Sequence, residues 1–162
     1  LASQARDPAS HYEHSEVGFN YRMSNVLAGI GRAQLASLGE KVAKRRSLYL
    51  RYRKALGDLP GIGFIPETGK DVPNRWLTCI TIDPVIAGTD AETLRLALEA
   101  RNIESRPLWK PMHLQPLFTD AECYGGTISE NLFRTGLCLP SGSSLAGDEF
   151  DRVVATLRKN WR

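Results

Sequence analysis

The sequence predicts a mixed α/β fold of the α+β kind. A three- to four-stranded sheet is packed with helices, mainly on one face, and a long kinked helix precedes it. Helical and extended segments alternate along the chain, which is typical of a sheet covered by helices. Residues 76–83 alternate in polarity and are rich in β-branched side chains, which favours a strand. Apolar residues make up 42% of the 162 residues, enough for one ordinary core.

The first two helical stretches are predicted from a capping residue and from helical spacing. Ser24 is placed to cap a helix, which Gly39 is expected to kink or interrupt. A second helical stretch then runs from about Glu40 to Leu56. The apolar residues that follow Ser24 at helical spacings are Val26, Leu27, Ile30, Leu35 and Leu38.

The later elements alternate in type. Thr89 or Asp90 is expected to cap a helix, and Gly136 is expected to end a shorter one. Ser141 and Ser143 are interpreted as caps of the last helix, although a ligand contact is an alternative. In chain order the predicted elements are strand 76–83, helix 90–101, strand 103–106, helix 128–135, strand 137–139 and helix 146–161.

Composition argues against several classes of partner. The net charge of +3 is small for this length. The basic face of residues 41–54 is interpreted as solvated, because neither a helix-turn-helix signature nor base-stacking aromatics accompany it. No apolar run approaches the roughly 20 residues that span a bilayer. Three cysteines without a C-x-x-C pair indicate reduced thiols. We therefore predict a cytoplasmic protein without a nucleic-acid or membrane partner.

Asn20 and Arg22 form a candidate anion site just before the first helix. They are two residues apart, so in an extended segment their side chains point the same way. The arginine offers a planar fork of donors, the asparagine adds an amide, and a helix start adds unpaired N–H groups. A surface arginine that merely precedes the capping Ser24 is the alternative interpretation.

The loop that holds Trp109, Lys110 and His113 forms a second candidate site. The tryptophan offers a flat face to a sugar or a base, the lysine a mobile cation, and the histidine a group that titrates near neutrality. Prolines at positions 107, 111 and 116 make this loop irregular and stiff. The alternative is an ordered surface loop in which Trp109 fills the core and His113 is structural.

The pair His11 and His14, with Glu13 between them, invites a metal interpretation. Zinc needs three or four converging ligands, and no third cluster supports this one. We predict no metal site, and expect this stretch to position the segment that carries Asn20.

Three stretches, in the same order along the chain, resemble the DegT/StrS family of sugar aminotransferases. They are Gly18–Leu38, Arg106–Phe118 and Leu137–Ser143. The second of them, with Asn74–Thr78, is similar to the subgroup that aminates C4 of a UDP-linked 6-deoxy keto-sugar. Members are pyridoxal-phosphate enzymes of fold-type I, so the resemblance implies that cofactor and the family's small C-terminal domain.

The resemblance also implies roles for particular residues. Family members are homodimers whose active sites lie at the subunit interface. Asn20 would reach the cofactor phosphate of the neighbouring subunit, and Arg22 would help to hold the nucleotide-sugar. The resemblance favours substrate contact for Trp109, Lys110 and His113, although His113 could be structural. Glutamate is the expected amino donor, and a UDP-linked 4-keto-6-deoxy sugar the acceptor.

One departure from the family sets the expected limits of this chain. The lysine that forms the Schiff base with the cofactor lies in a Ser-x-x-x-x-Lys context within a large N-terminal domain. None of the six lysines here has that context, so no catalytic residue is assigned in this chain. We expect residues 1–23 to connect from that domain and residues 24–162 to form the small domain with its linking helix. The isolated chain is then expected to be inactive. A non-catalytic binding or regulatory module is the alternative.

Overall fold

The computed structural model describes residues 5, 7, 8, 15–19, 21–67, 69–118 and 120–161. They divide into two units, residues 1–39 and residues 40–162. The described helices are α1 (Asn25–Ala36), α2 (Leu38–Leu56), α3 (Pro84–Ala87), α4 (Ala91–Glu99), α5 (Thr127–Thr135) and α6 (Gly147–Asn160). The described strands are β1 (Ile62–Phe64), β2 (Thr78–Ile82), β3 (Arg106–Pro107) and β4 (Gly136–Leu139).

The first two helices are separated at Ser37 and not at Gly39, where the sequence predicted the interruption. Ser24 caps α1 as expected, and its Oγ accepts a hydrogen bond from the Leu27 amide at 3.3 Å. The hydroxyl of Ser37 donates back to the carbonyl groups of Ala33 and Gln34, at 3.4 and 3.2 Å. A serine that bonds to its own helix competes with the backbone ladder and favours an ending there, whereas Gly39 lies inside α2.

The four strands form one antiparallel sheet in the order β1-β2-β4-β3. The central pair joins β2 to β4, with Ile80 opposite Leu137 and Cys79 opposite Cys138. The short strand β3 lies at the edge of the sheet and contains Pro107. Proline has no backbone N–H, so it is tolerated in an edge strand, which pairs with only one neighbour. The predicted mixed fold with three to four strands is confirmed.

The core lies between the sheet and helices α2, α4 and α6. On β2 the buried residues alternate, so Thr78, Ile80 and Ile82 share one face of the sheet. Burying a large aliphatic side chain contributes about 1.5–3 kcal/mol. The helix side chains that complete the core include Leu48, Tyr52 and Leu56 of α2, Leu94 and Leu98 of α4, and Phe150, Val153 and Leu157 of α6.

The strand predicted at residues 103–106 is wrong in extent, because β3 holds only Arg106 and Pro107. Asn102 adopts a left-handed conformation with φ +56°, which ends the turn after α4. The Ile103 amide then donates to the Leu98 carbonyl at 3.0 Å, and Ile103 is buried in the core. Ile103 therefore belongs to the helix ending and not to the strand.

The predicted capping of the last helix by Ser141 or Ser143 is also wrong. Helix α6 begins after Ala146, whose amide donates to the Glu149 carboxylate at 2.9 Å. Ser141 is buried instead. Its Oγ accepts from the Thr78 amide and donates to the Leu139 carbonyl, both at 2.7 Å. This serine therefore fastens the end of β4 to the start of β2.

None of the described helices has the length and apolar character needed to cross a lipid bilayer.

Candidate functional site

Arg22 lies on an exposed segment that leads into α1. The rings of Phe19 and Tyr21 stack with centroids 5.5 Å apart and planes within 15°. The Tyr21 amide also donates to the Phe19 carbonyl at 3.1 Å. Arg22 is exposed, two residues before the capping Ser24. Asn20 lies outside the described residues, so its role as a phosphate ligand stays a prediction.

The second candidate site lies on the loop after β3, where Trp109 is exposed rather than buried in the core. Its side chain is 63% exposed, and Lys110 beside it is exposed as well. The Trp109 ring contacts Trp76, with centroids 5.8 Å apart and planes at 38°. Trp76 is itself 58% exposed. Two large aromatic faces at the surface, next to a cation, suit a planar or ring-shaped anionic ligand.

Arg75 anchors the loop that holds Trp76 in this place. Its side chain is only 8% exposed, and its guanidinium carbon lies 3.7 Å from the centroid of the Tyr49 ring. Nη2 donates to the Glu67 carboxylate at 2.8 Å, and Nη1 donates to the Ile65 carbonyl at 3.2 Å. The next residue, Trp76, is thereby held at the surface while Arg75 points inward.

The same contacts lower the pKa of the Glu67 carboxyl. The hydrogen bond from Arg75 is the largest cause, and the positive charge of Arg46 adds to it. Because the pKa of Glu67 is lowered, this ion pair stabilises the folded protein at pH values above the ordinary carboxyl pKa. Its contribution is lost as the pH falls through the lowered value. The anchor of Trp76 should therefore weaken only in acid.

Replacing Arg75 is expected to destabilise the protein to an extent that depends on the new residue. Arg75 has φ +49°, a left-handed conformation that glycine adopts without strain and alanine does not. Arg75→Ala should cost about 2 kcal/mol through the lost stacking and the unpaired carbonyl. Arg75→Gly should cost about 1 kcal/mol less than that. Chemical denaturation of both variants measures the difference, and equal stabilities would contradict the strained backbone.

His113 contacts the start of helix α5. Its Nε2 lies 2.9 Å from the Glu130 Oε1, and its side chain is 21% exposed. A β-carbon at Gly126, which has φ +114°, would lie only 3.0 Å from the His113 ring. The His113 imidazole is therefore packed closely against Gly126, at the start of α5. This geometry favours the structural alternative for His113, as a residue that fastens the loop.

A cleft of about 650 Å³ opens beside the edge strand β3 and includes Trp109 in its wall. Ser105 Oγ is buried in this region and has no hydrogen-bond partner within the part of the chain that the structure describes. Arg106 is exposed, although it pairs with Glu104 at 2.7 Å. The cleft is lined among others by Ser105, Arg106, Leu108, Trp109, Phe133 and Cys138. A cleft lined mainly by apolar side chains, with a few polar groups among them, is typical of a small-molecule site.

The structure therefore brings together some of the predicted site residues. Trp109 and Lys110 share one surface with Trp76, which the sequence interpretation had placed inside a strand. Arg22 belongs to the other unit, and His113 is occupied by its contact with Glu130. Trp76 lay within the family-like stretch Asn74–Thr78, so that stretch was the signal that pointed to it.

No three histidine, cysteine, aspartate or glutamate side chains approach one another closely enough to hold a metal ion, as far as the described ranges extend. His11, Glu13 and His14 lie outside those ranges. Several cations on the basic face of α2 have structural partners. Lys44 pairs with Glu40 at 2.6 Å, and the guanidinium of Arg51 lies 4.0 Å from the Phe150 ring centroid.

The fold is that of an aminotransferase domain. The aminotransferase TlmJ from Streptoalloteichus hindustanus superposes with a TM-score of 0.81 at 22% identity, covering 98% of this chain and 42% of that one. The sequence model of the DegT/DnrJ/EryC1/StrS aminotransferase family matches residues 1–158. The chain belongs to this family, whose members are pyridoxal-phosphate-dependent sugar aminotransferases.

Two relatives place the chain within that family. EpsN of Bacillus subtilis (strain 168), whose name describes a pyridoxal phosphate-dependent aminotransferase, is 54% identical over 161 residues, 97% of this chain and 41% of its own length. GDP-perosamine synthase of Caulobacter vibrioides is 34% identical over 160 residues, 97% of this chain and 42% of its own length. The chain therefore spans about two fifths of the relatives that it matches.

Proposed function

We propose that this chain is the C-terminal domain of a pyridoxal-phosphate-dependent aminotransferase. The intact enzyme would transfer an amino group from glutamate to a UDP-linked 4-keto-6-deoxy sugar. Residues 1–23 would connect from the large domain, and residues 24–162 would form the small domain with its linking helix. The family match over nearly the whole chain and the 54% identity to EpsN support the aminotransferase. The UDP-linked acceptor rests on the resemblance of residues 74–78 and 106–118 to one subgroup, and the glutamate donor is proposed with it.

In the proposal, the segment that carries Asn20 and Arg22 binds two anionic groups, the cofactor phosphate and the nucleotide-sugar. Arg22 is exposed and lies two residues before the N-cap of α1, where the dipole of this 12-residue helix favours an anion. In the proposal, Asn20 donates its amide to the cofactor phosphate of the neighbouring subunit. The guanidinium of Arg22 donates hydrogen bonds to the nucleotide-sugar. The bound cofactor supplies the electron sink for amino transfer.

The exposed surface near Trp109 fits the substrate. Trp76 and Trp109 offer adjoining faces to the nucleobase or the sugar, and Lys110 offers a cation to the diphosphate. In this arrangement the chain binds and orients the substrate. His113 would act indirectly, by fastening the loop to α5 through Glu130.

Helix α1 supports the proposed homodimer. No residue of α1 is buried, and Val26, Leu27, Ile30 and Leu35 are each more than half exposed. Apolar side chains at helical spacing on an uncovered helix are typical of a surface that another domain or subunit covers. In the proposal, the large domain and the second subunit cover it, which would place Asn20 at the interface.

Asn20→Ala in the intact enzyme is expected to weaken cofactor retention. A lost hydrogen bond to a charged phosphate costs about 1.5–3 kcal/mol, so the dissociation constant should rise by about 10- to 150-fold. Cofactor absorbance after dialysis measures this loss. The matched control is Asn25→Ala, five residues further on and inside α1, which should retain cofactor as the parent does. Equal retention in both variants would contradict the assignment of Asn20.

The substrate proposal is tested with the intact protein, pyridoxal phosphate and glutamate. A UDP-linked and a GDP-linked 4-keto-6-deoxy sugar are compared as acceptors, and amino-sugar formation is measured. We expect a higher kcat/KM with the UDP-linked acceptor. A preference for the GDP-linked sugar would keep the aminotransferase but contradict the UDP assignment. An intact protein that neither binds the cofactor nor forms product would favour the non-catalytic binding or regulatory module.

A further inference from the structure

Two of the three cysteines face each other across the centre of the sheet. Cys79 of β2 and Cys138 of β4 are register partners, and their sulfur atoms lie 3.7 Å apart. Both thiols are reduced in this structure. The third cysteine, Cys123, is exposed in the segment before α5, and its sulfur lies 3.7 Å from the Gly125 carbonyl oxygen. The pairing therefore arises from the strand register and not from proximity in sequence.

We propose that Cys79 and Cys138 form a dithiol site that a hydroperoxide oxidises reversibly to an intramolecular disulfide. Register partners in an antiparallel pair have Cα atoms about 4.5 or 5.5 Å apart, and both separations lie within the range of disulfides. The sulfur atoms have to approach by about 1.7 Å to reach bonding distance, which side-chain rotation can supply. The strands themselves need not separate.

The surroundings make Cys79 the thiol that reacts first. The Cys138 thiol donates a hydrogen bond that lowers the pKa of Cys79, and the nearby positive charge of Arg75 acts in the same direction. The pKa of Cys138 is raised, because it would lose its proton beside the Cys79 thiolate and because it is buried. Cys79 is also the less buried of the two. The thiolate is the reactive form of cysteine, so the less buried thiol of the pair, Cys79, is also the activated one.

The reaction balances with one hydroperoxide. The Cys79 thiolate attacks the peroxide oxygen, which breaks the O–O bond and leaves a sulfenic acid, while the released oxygen takes a proton to form water or an alcohol. The Cys138 sulfur then attacks the Cys79 sulfur. Its thiol proton leaves with the hydroxyl group as water. The two thiols are oxidised by two electrons in total, and the peroxide is reduced.

Cys138 connects this site to the wall of the cleft. Its sulfur lies 3.9 Å from the Pro107 carbonyl oxygen, and Cys138 lines the cleft together with Leu108 and Trp109. The dithiol is therefore next to the loop that holds the aromatic pair. The inference does not depend on the proposed function, because it rests on the sheet register and on sulfur chemistry alone.

The test uses the intact protein, reduced and then treated with hydrogen peroxide. After alkylation of the remaining thiols and proteolysis, mass spectrometry should find the peptide of Cys79 linked to that of Cys138. A second reductive treatment should remove the link. The matched control is Cys123→Ser, which should form the link as the parent does, whereas Cys79→Ser should lose it completely. Recovery of Cys79 and Cys138 as separate alkylated peptides, under conditions that oxidise Cys123, would overturn the proposal.

A trivalent arsenical provides a second measurement that needs no variant of the buried Cys138. Phenylarsine oxide bridges two thiols that lie close together without oxidising them. In the parent it should protect Cys79 and Cys138 from alkylation and leave Cys123 reactive. Loss of protection in Cys79→Ser is expected. Protection of neither thiol in the parent would show that the two sulfur atoms do not meet, and the proposal would fall.

Discussion

Gly136→Ala is expected to destabilise the intact protein by about 3 kcal/mol or more, one of the two largest effects that the structure predicts. Gly136 joins α5 to β4 and is buried. A β-carbon there would overlap the Leu108 side chain and the Leu132 backbone carbonyl. The carbonyl belongs to the last turn of α5 and cannot rotate away, so relief requires a shift of the backbone. Its φ of −96° is ordinary, so the cost is steric.

The same substitution is expected to reach the candidate site. The Leu108 amide approaches the Gly136 carbonyl at 3.4 Å, and Leu108 immediately precedes Trp109. A displaced Leu108 should therefore move the aromatic pair and weaken substrate binding. Chemical denaturation measures the free energy of unfolding, and steady-state kinetics measure the KM.

Gly147→Ala is the control for Gly136→Ala. A β-carbon at Gly147 would meet no described atom within 4 Å, and this residue begins α6, where alanine is the better helix former. Its stability should equal or slightly exceed that of the parent. If Gly136→Ala unfolds at the same denaturant concentration as the parent and this control, the close approach of Leu108 to β4 is refuted.

Trp109→Ala is expected to raise the KM for the nucleotide-sugar by about 10-fold or more, with a smaller effect on kcat. Stacking of a base on an aromatic side chain is worth about 1–3 kcal/mol, and 1.4 kcal/mol corresponds to a factor of ten in affinity. Trp109 is 63% exposed, so its removal should leave no cavity in the core and little effect on stability. Trp109→Phe should recover much of the binding.

Two further variants sharpen the test of Trp109. Trp76→Ala should act in the same direction, because Trp76 contacts the Trp109 ring. Tyr124→Ala is the control. It removes an aromatic side chain that is 85% exposed and that belongs to the same unit, residues 40–162, so it should leave the KM unchanged. Binding of UDP followed by tryptophan fluorescence separates affinity from turnover. An unchanged KM for Trp109→Ala, with stability intact, would show that the aromatic pair does not bind the substrate.

Features with a local cause were predicted well from the sequence. Ser24 and Asp90 cap their helices through bonds to amides three residues later, so the signal lies within one turn. Strand β2 lies within the predicted range because its β-branched residues alternate. The family resemblance was confirmed, since it rested on three stretches that keep their order along the chain.

Features with a distant cause were missed. Ser141 looked like a helix cap, but its hydroxyl binds the Thr78 amide, 63 residues away. Trp76 is two residues before Thr78 and four before Ile80, so a continuous strand would place all three on the buried face of the sheet. The left-handed backbone at Arg75 and a bend before β2 bring Trp76 to the surface instead. That conformation depends on Tyr49 and Glu67, which no local pattern of residues 74–78 reveals.

The sequence by itself determined the family and the mixed fold, and its prediction of Asn20 and Arg22 as an anion site stays a prediction. Helix caps, strand alternation and family motifs each depend on a few residues that are close together in the sequence. Only the tertiary structure decided which of those residues meet, because Trp76 meets Trp109 and Cys79 meets Cys138 through strand register and loop anchoring. Such contacts join positions 33 and 59 residues apart. Chain closure over that length is set by the packing of the whole domain and not by local preference.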